Sequence, residues 1–195
     1  MLWWTGQNNP ILRLFWASSR AIIPNLHPRI ERKRLAMDLL LHSHPMTVHF
    51  PIALLLLASA AGLAYLYWQP HPALLVLIWW PMRLGWIGGV VAVATGLLAQ
   101  SGLPPDAPYR AVLNWHIGTG LALLVVYGLL IYQRWLFDSS KGKRVRQAQD
   151  YVDLLDDPTR RIGFSLLALL GMLLVVASGW NGGRLVYEWG VNVMR

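Results

Sequence analysis

Cysteine is missing altogether from the 195 residues. That excludes disulfides, thiolate-ligated metals, iron–sulfur clusters and covalently attached c-type haem. It says nothing against an oxidising compartment. Charge is scarce as well: 13% of residues are Asp, Glu, Lys or Arg, about half the level of an average globular protein. Carboxylates are the rarer sign, and no apolar run contains a pair of them. Asp38, Asp106 and Glu188 stand alone, so general acid–base chemistry by paired carboxylates finds no support. No serine–histidine arrangement of a nucleophilic site is evident.

What the chain has in quantity is apolar sequence, 55% of all residues. Long apolar runs account for the shortage of charge and point to a membrane protein. There is room for one bundle of four spans with short tails. The fold class expected is all-α, a four-helix transmembrane bundle with an N-terminal amphipathic surface segment.

Residues 1–43 hold apolar patches but no run of about 18 uninterrupted apolar residues. Arg13, Arg20, Arg29, Arg32, Lys33 and Arg34 interrupt them. No basic stretch leads the chain and no small-residue cleavage site follows, so a cleavable signal peptide is not expected. This arm reads as one or two amphipathic segments lying on the membrane surface. The membrane domain is expected over 44–195.

Span one is expected over 47–68, with Pro51 in the first turn, where a missing donor costs nothing. Gln69-Pro70-His71-Pro72 breaks the chain. Residues 73–80 are apolar but too short to cross alone, and they read as an interfacial piece or a kinked start to span two. Span two is expected over 84–100, with Arg83 reaching back to the headgroups. Ser101 to Asp106 is rich in turn residues. Span three is expected over 115–136 and span four over 162–180. The polar stretch 138–161 between them reads as a loop with a short solvated helix. Eleven tryptophans gather near the span ends, among them Trp3, Trp4, Trp68, Trp79, Trp80, Trp135, Trp180 and Trp189, as in an interfacial aromatic belt.

Four spans place the starts of spans one and three and the ends of spans two and four on one side, face A. His42, His44, His49, Arg110, Asn114, His116 and the 180–184 turn all fall there. Face B receives only His71. The short-loop rule favours face B as cytoplasmic, because the stretch between spans three and four is strongly basic (Lys141, Lys143, Arg144, Arg146). The basic N-terminal arm argues the other way. A net charge of +8 suits anionic lipid headgroups. Nucleic acid is a poor fit, since the basic residues form no single stripe.

The sharpest chemical clue is a pair of histidines opening two separate spans. His49 and His116 are expected at one depth near face A. A polar ring inside a bilayer is costly and usually functional. Two such rings on facing helices suit the axial positions of one b-type haem. Gly96, Gly118 and Gly120 are candidates for making room, though close helix packing explains them as well. His44 cannot share a helical face with His49, because their separation turns them about 140° apart. It is expected in the turn before span one, against a haem edge, a propionate or a second metal. Arg110, Arg184 and Asn114 are the available partners for propionates. A nonhaem metal on His44, His49 and His116 is possible, because imidazole suits zinc, copper and iron, but it lacks a carboxylate second shell. Each histidine also has a plain reading as a helix cap or a loop contact. Spans two and four contain no histidine, so a second haem layer is absent. One haem near face A would exchange electrons with quinone, a cytochrome or another subunit rather than carry them across. The residues favour an electron carrier or accessory subunit over an enzyme. The competing reading is a cofactor-free structural or assembly subunit of a respiratory or photosynthetic complex.

The string from His44 through Pro45, Met46, Thr47, Val48, His49, Phe50 and Pro51 to Leu54 resembles the opening of a bacterial membrane family, domain of unknown function 2231. His116 at the head of span three is similar to that family's pattern, as are Gly182-Gly183-Arg184-Leu185-Val186-Tyr187, Gly190-Val191 and Val193. The resemblance covers about residues 40–195. It implies a four-helix integral membrane domain, and an association with redox chains through relatives joined to Rieske-type or cytochrome c domains. The sequence departs at Trp180-Asn181, where members often carry Gly-His, so any ligand relatives place there is absent here.

Overall fold

The computed structural model describes residues 44, 45, 47–101, 103–139, 142 and 150–191. The expected amphipathic arm over 1–43, with His27 and His42, lies outside the described residues, as does most of the 139–149 stretch that was expected to hold a short solvated helix. Four helices account for almost everything else: α1 Thr47–Tyr67, α2 Pro72–Gln100, α3 Arg110–Asp138 and α4 Pro158–Tyr187, with a single 3-10 turn at Leu154–Asp156. Each of the four is long and apolar enough to cross a membrane. No strand occurs among the described residues. The all-α, four-span expectation holds.

Three spans are longer than the sequence implied. Helix α2 begins at Pro72 and runs unbroken through Pro81, so 73–80 is the first third of a span and not a separate interfacial piece. His71 caps it, its ring accepting from the Ala73 amide. A proline inside a transmembrane helix is tolerated where neighbouring elements re-satisfy the freed carbonyl, and Ile78, Trp79 and Met82 on either side of Pro81 are buried in the core. Trp79 therefore leaves the interfacial belt, whereas Trp68, Trp80, Trp135 and Trp180 stay exposed. Helix α4 continues through Trp180-Asn181-Gly182-Gly183, read above as a turn. It ends at Tyr187, and Gly190 just beyond takes a φ of 62°, the left-handed setting with which glycine closes off a helix.

The exterior is apolar on all sides, with Leu166, Leu173 and Val176 of α4 and Val125 of α3 all exposed. The interior uses small residues, because lipid gives no hydrophobic reason for helices to associate and close backbone approach must supply the packing. A Cβ at Gly85 would sit 2.9 Å from Leu55, and one at Gly171 2.7 Å from the Tyr127 ring. Those two contacts are equivalent. Leu55 and Tyr127 lie the same number of residues apart as His44 and His116, and as the fully buried Ala58 and Leu130. In the partner helices one constant offset relates Ile78 to Phe164, Gly85 to Gly171, Gly96 to Gly182 and Ala99 to Leu185, each pair matched in burial. The bundle is a duplicated helical hairpin, α1–α2 and α3–α4, arranged around a pseudo-two-fold axis that runs along the helices. Helices α1 and α3 meet on that axis, where the Ser59 and Tyr127 hydroxyls are 2.8 Å apart.

The repeats differ at face B. The α3–α4 connection folds back beneath the bundle, and Asp153, Leu154 and Leu155 are buried, contrary to a purely solvated loop. Three residues of it reach all four helices. Asp153 accepts from the Trp79 indole of α2 at 3.0 Å and pairs with Arg134 of α3 at 3.0 Å. Asp156 accepts from Tyr65 of α1 at 2.6 Å. Asp157 caps α4 through the Thr159 amide. Arg134 also pairs with Asp138 at 3.3 Å and lies over the rings of Trp79 and Phe137. Asp153 and Asp156 cap the 3-10 turn reciprocally.

Candidate functional site

The histidines converge at face A, but the pair differs from the one expected. His44 faces His116, with ring centroids 6.1 Å apart and planes at 82°. His49 is exposed on α1, and its Nδ1 sits 2.9 Å from the Pro45 carbonyl of its own first turn. His49 turns back on the Pro45 carbonyl, whereas His44, ahead of α1, lies close against α2 at Ala92 and Gly96.

Each ring is held in the same way by its hairpin partner. His44 Nδ1 is 2.8 Å from the Ala92 carbonyl of α2. His116 Nδ1 is 2.9 Å from the Ser178 carbonyl of α4. A carbonyl only accepts, so Nδ1 carries a proton in both rings, and the neutral form of either ring presents its lone pair at Nε2. One turn beyond each carbonyl is a glycine that seats the ring. A Cβ at Gly96 would lie 2.9 Å from His44 Cε1, and one at Gly182 3.0 Å from His116 Cε1. Two hydroxyls add to the anchors. Thr95 Oγ1 donates to the Ala92 carbonyl at 3.0 Å and lies 3.3 Å from His44 Nδ1; Ser178 Oγ is 3.5 Å from His116 Nδ1. Burial, and to a lesser degree the neighbouring His116, holds His44 below the ordinary imidazole range, against the pull of the Ala92 carbonyl. His44 is therefore neutral near pH 7.

The remaining expected residues do not gather around the rings in this way. Arg110 turns back on its own loop, donating to the carbonyls of Pro104 and Leu103. Arg184 pairs with Glu188 at 2.9 Å. Asn114 is exposed. Of the three glycines expected to make room, only Gly96 touches a histidine: a Cβ at Gly118 meets nothing within 4 Å, and one at Gly120 meets Val93. Among the described residues no cluster of three or more His, Asp or Glu could hold a metal, so the three-histidine nonhaem site is not formed. The anchors Ala92, Ser178 and Gly182 were missed from sequence. Their signal is the repeat itself, a small residue followed four positions later by glycine near the end of each even-numbered helix.

The model for a family described as predicted membrane proteins, domain of unknown function 2231, matches residues 42–195. The chain belongs to this family. The match takes in all four helices and both rings of the histidine pair. No curated protein and no solved structure matches the chain. As a member of domain of unknown function 2231, it is an integral membrane protein in contact with the lipid bilayer.

Proposed function

We propose that this protein holds one b-type haem between His44 and His116 and transfers electrons at face A, as a subunit of a larger complex in a bacterial inner membrane. The observation that carries the reading is the ring pair with both Nδ1 atoms committed to backbone carbonyls. Two imidazoles on opposite sides of one iron, each bonded at about 2.0 Å with its centroid about 1.1 Å behind the nitrogen, stand about 6.2 Å apart. The centroids here are 6.1 Å apart. Two rings joined by a direct nitrogen–nitrogen hydrogen bond of about 2.9 Å would stand nearer 5.1 Å. The spacing thus suits an intervening atom. An Nδ1–H donated to a carbonyl is also the usual outer-shell support of a metal-bound histidine, since it fixes the tautomer and raises ligand basicity. Haem would supply a one-electron couple. The chain's part is to orient two neutral imidazoles and to keep the iron in a low-dielectric setting. Quinone or a cytochrome on the face-A side is the expected exchange partner, and that face is assigned to the periplasm.

A second reading, a cofactor-free assembly subunit, draws on one observation. The two arginines best placed for propionates bond instead to loop carbonyls and to Glu188. An absorption spectrum of protein produced with ample haem separates the two. The haem reading expects a Soret band that sharpens on reduction, lost in His44→Ala and His116→Ala and retained in His49→Ala. A colourless protein, or a spectrum indifferent to His44 and His116, overturns it in favour of the scaffold.

A further inference from the structure

Two imidazoles on one iron can stand at any angle about their common axis, and that angle is under the control of whatever holds each ring. Here both rings are held at two points. The Nδ1 tether to Ala92 or Ser178 fixes how far each ring turns. The glycine one turn further on, Gly96 or Gly182, leaves no room for more than a hydrogen beside Cε1. Turning either ring would pull its Nδ1–H off the carbonyl or drive Cε1 toward the helix backbone. The tethers come from α2 for one ring and from α4 for the other, across the pseudo-two-fold axis, and the result is planes at 82°.

We infer that Gly96 and Gly182, together with the Ala92 and Ser178 carbonyls, are positioning residues that hold the two axial imidazoles perpendicular, giving the ferric haem near-degenerate iron π orbitals. This rests on the reading of His44 and His116 as haem ligands. The chemistry is general. Each imidazole interacts most with the iron d orbital that lies perpendicular to its plane. Parallel rings act on one orbital and split the pair, whereas perpendicular rings act on both and leave the pair nearly equal in energy. Near-degeneracy shows in electron paramagnetic resonance as a highly anisotropic low-spin signal with one very large g value.

The test is the frozen-solution spectrum of the oxidised, haem-loaded protein. The expected result is that anisotropic signal, shifting to an ordinary rhombic low-spin spectrum in Gly96→Ala and in Gly182→Ala while the haem stays bound. A rhombic spectrum in the unaltered protein overturns the inference and leaves the haem reading standing. A haem-free protein overturns both. A second measurement does not need the glycine variants to fold or the haem to bind: nitrogen-15 histidine resonances of the apoprotein in micelles. Nδ1–H tautomers at both His44 and His116, assigned by their disappearance in the alanine variants, support the tethers. An Nε2–H tautomer at either ring overturns them.

Discussion

Removing the Asp153 carboxylate tests the face-B clasp more sharply than any other single change. Its side chain is 2% exposed, and that of Arg134 16%. Asp153→Ala takes away three interactions together: the ion pair with Arg134, the acceptor for the Trp79 indole and the cap on the Leu155 amide. Breaking a buried ion pair from one side costs about 3–5 kcal/mol, because the partner charge stays behind uncompensated. Arg134 keeps Asp138 at 3.3 Å, which brings the ion-pair part toward the lower end. An indole N–H left without an acceptor adds about 1–3 kcal/mol. The variant should therefore lose roughly 4–5 kcal/mol of a total that is typically about 5–15 kcal/mol. At about 2–4 °C per kcal/mol for a chain of this length, the melting temperature in detergent should fall by roughly 8–20 °C. Asp153→Asn keeps an acceptor and a cap while removing the charge, and it should fall between the alanine variant and the unaltered protein. Asp138→Asn, at a side chain 38% exposed, should cost less than about 1 kcal/mol. Thermal unfolding followed by circular dichroism decides the matter. An Asp153→Ala protein that melts within a degree or two of the unaltered one, or an Asp138→Asn protein that suffers equally, would refute this account of the clasp.

The glycines should sort by what a methyl group would meet. Gly62→Ala, whose Cβ would lie 2.5 Å from the Phe164 ring, should destabilise by about 1–3 kcal/mol. Gly163→Ala and Gly179→Ala meet nothing within 4 Å and should raise stability by up to about 1 kcal/mol through helix propensity; thermal melts of the three variants side by side check both signs. Tyr127→Phe should lose about 0.5–1.5 kcal/mol with the Ser59 hydrogen bond, read from the same melts. The His44 imidazole sits below its ordinary value of 6.5 in the folded chain, so the unfolded chain takes up the proton first. Stability of the apoprotein should hold above about pH 6.5 and fall as pH drops below it, and His44→Gln should flatten that slope in a pH series of melts. A slope unchanged in the variant would show that another group carries it.

The architecture was legible because membrane spans announce themselves by length. Every span was found, and α1 was placed to within a residue of its end. The misplaced ends of α2 and α4 share one cause. Pro81 and Gly182-Gly183 carry helix-breaking weight in water, whereas in a bundle surrounded by lipid an unsatisfied backbone group costs so much that the helix runs through them. The ring pair was only partly legible. His116 belongs to it, but that His44 and not His49 faces it turns on how the chain just ahead of α1 meets α2, which no span boundary reveals. Arg110 was read as free for a ligand because sequence does not show the loop carbonyls of Leu103 and Pro104 curling back to meet it. Asp153 was hidden in a stretch whose many charges read as solvent-loving, and its burial depends on Arg134 waiting a full connection away.

The duplication explains why the histidine pair and the ion-pair clasp sit at opposite ends. A two-fold arrangement offers two equivalent side chains to whatever lies on its axis, so a symmetric object such as a metal ion is served by repeating one good residue. His44 and His116 repeat, with their carbonyls and glycine seats. An ion pair cannot use that device, because a residue and its repeat carry the same charge and would repel across the axis. Face B accordingly breaks the symmetry. Arg134 of α3 stands where the repeat in α1 has Gly62, and its partners Asp153 and Asp138 come from one hairpin only. The Gly62 position then has space for Phe164, which packs edge-on to Trp79 at 6.2 Å, and Trp79 in turn binds Asp153. An arginine at position 62 would bring a second buried cation into that cluster without a second carboxylate. Gly62→Arg should therefore prevent assembly even though it restores the internal repeat, whereas symmetrising face A, by Ala92→Ser for example, should leave the fold and the histidine pair intact.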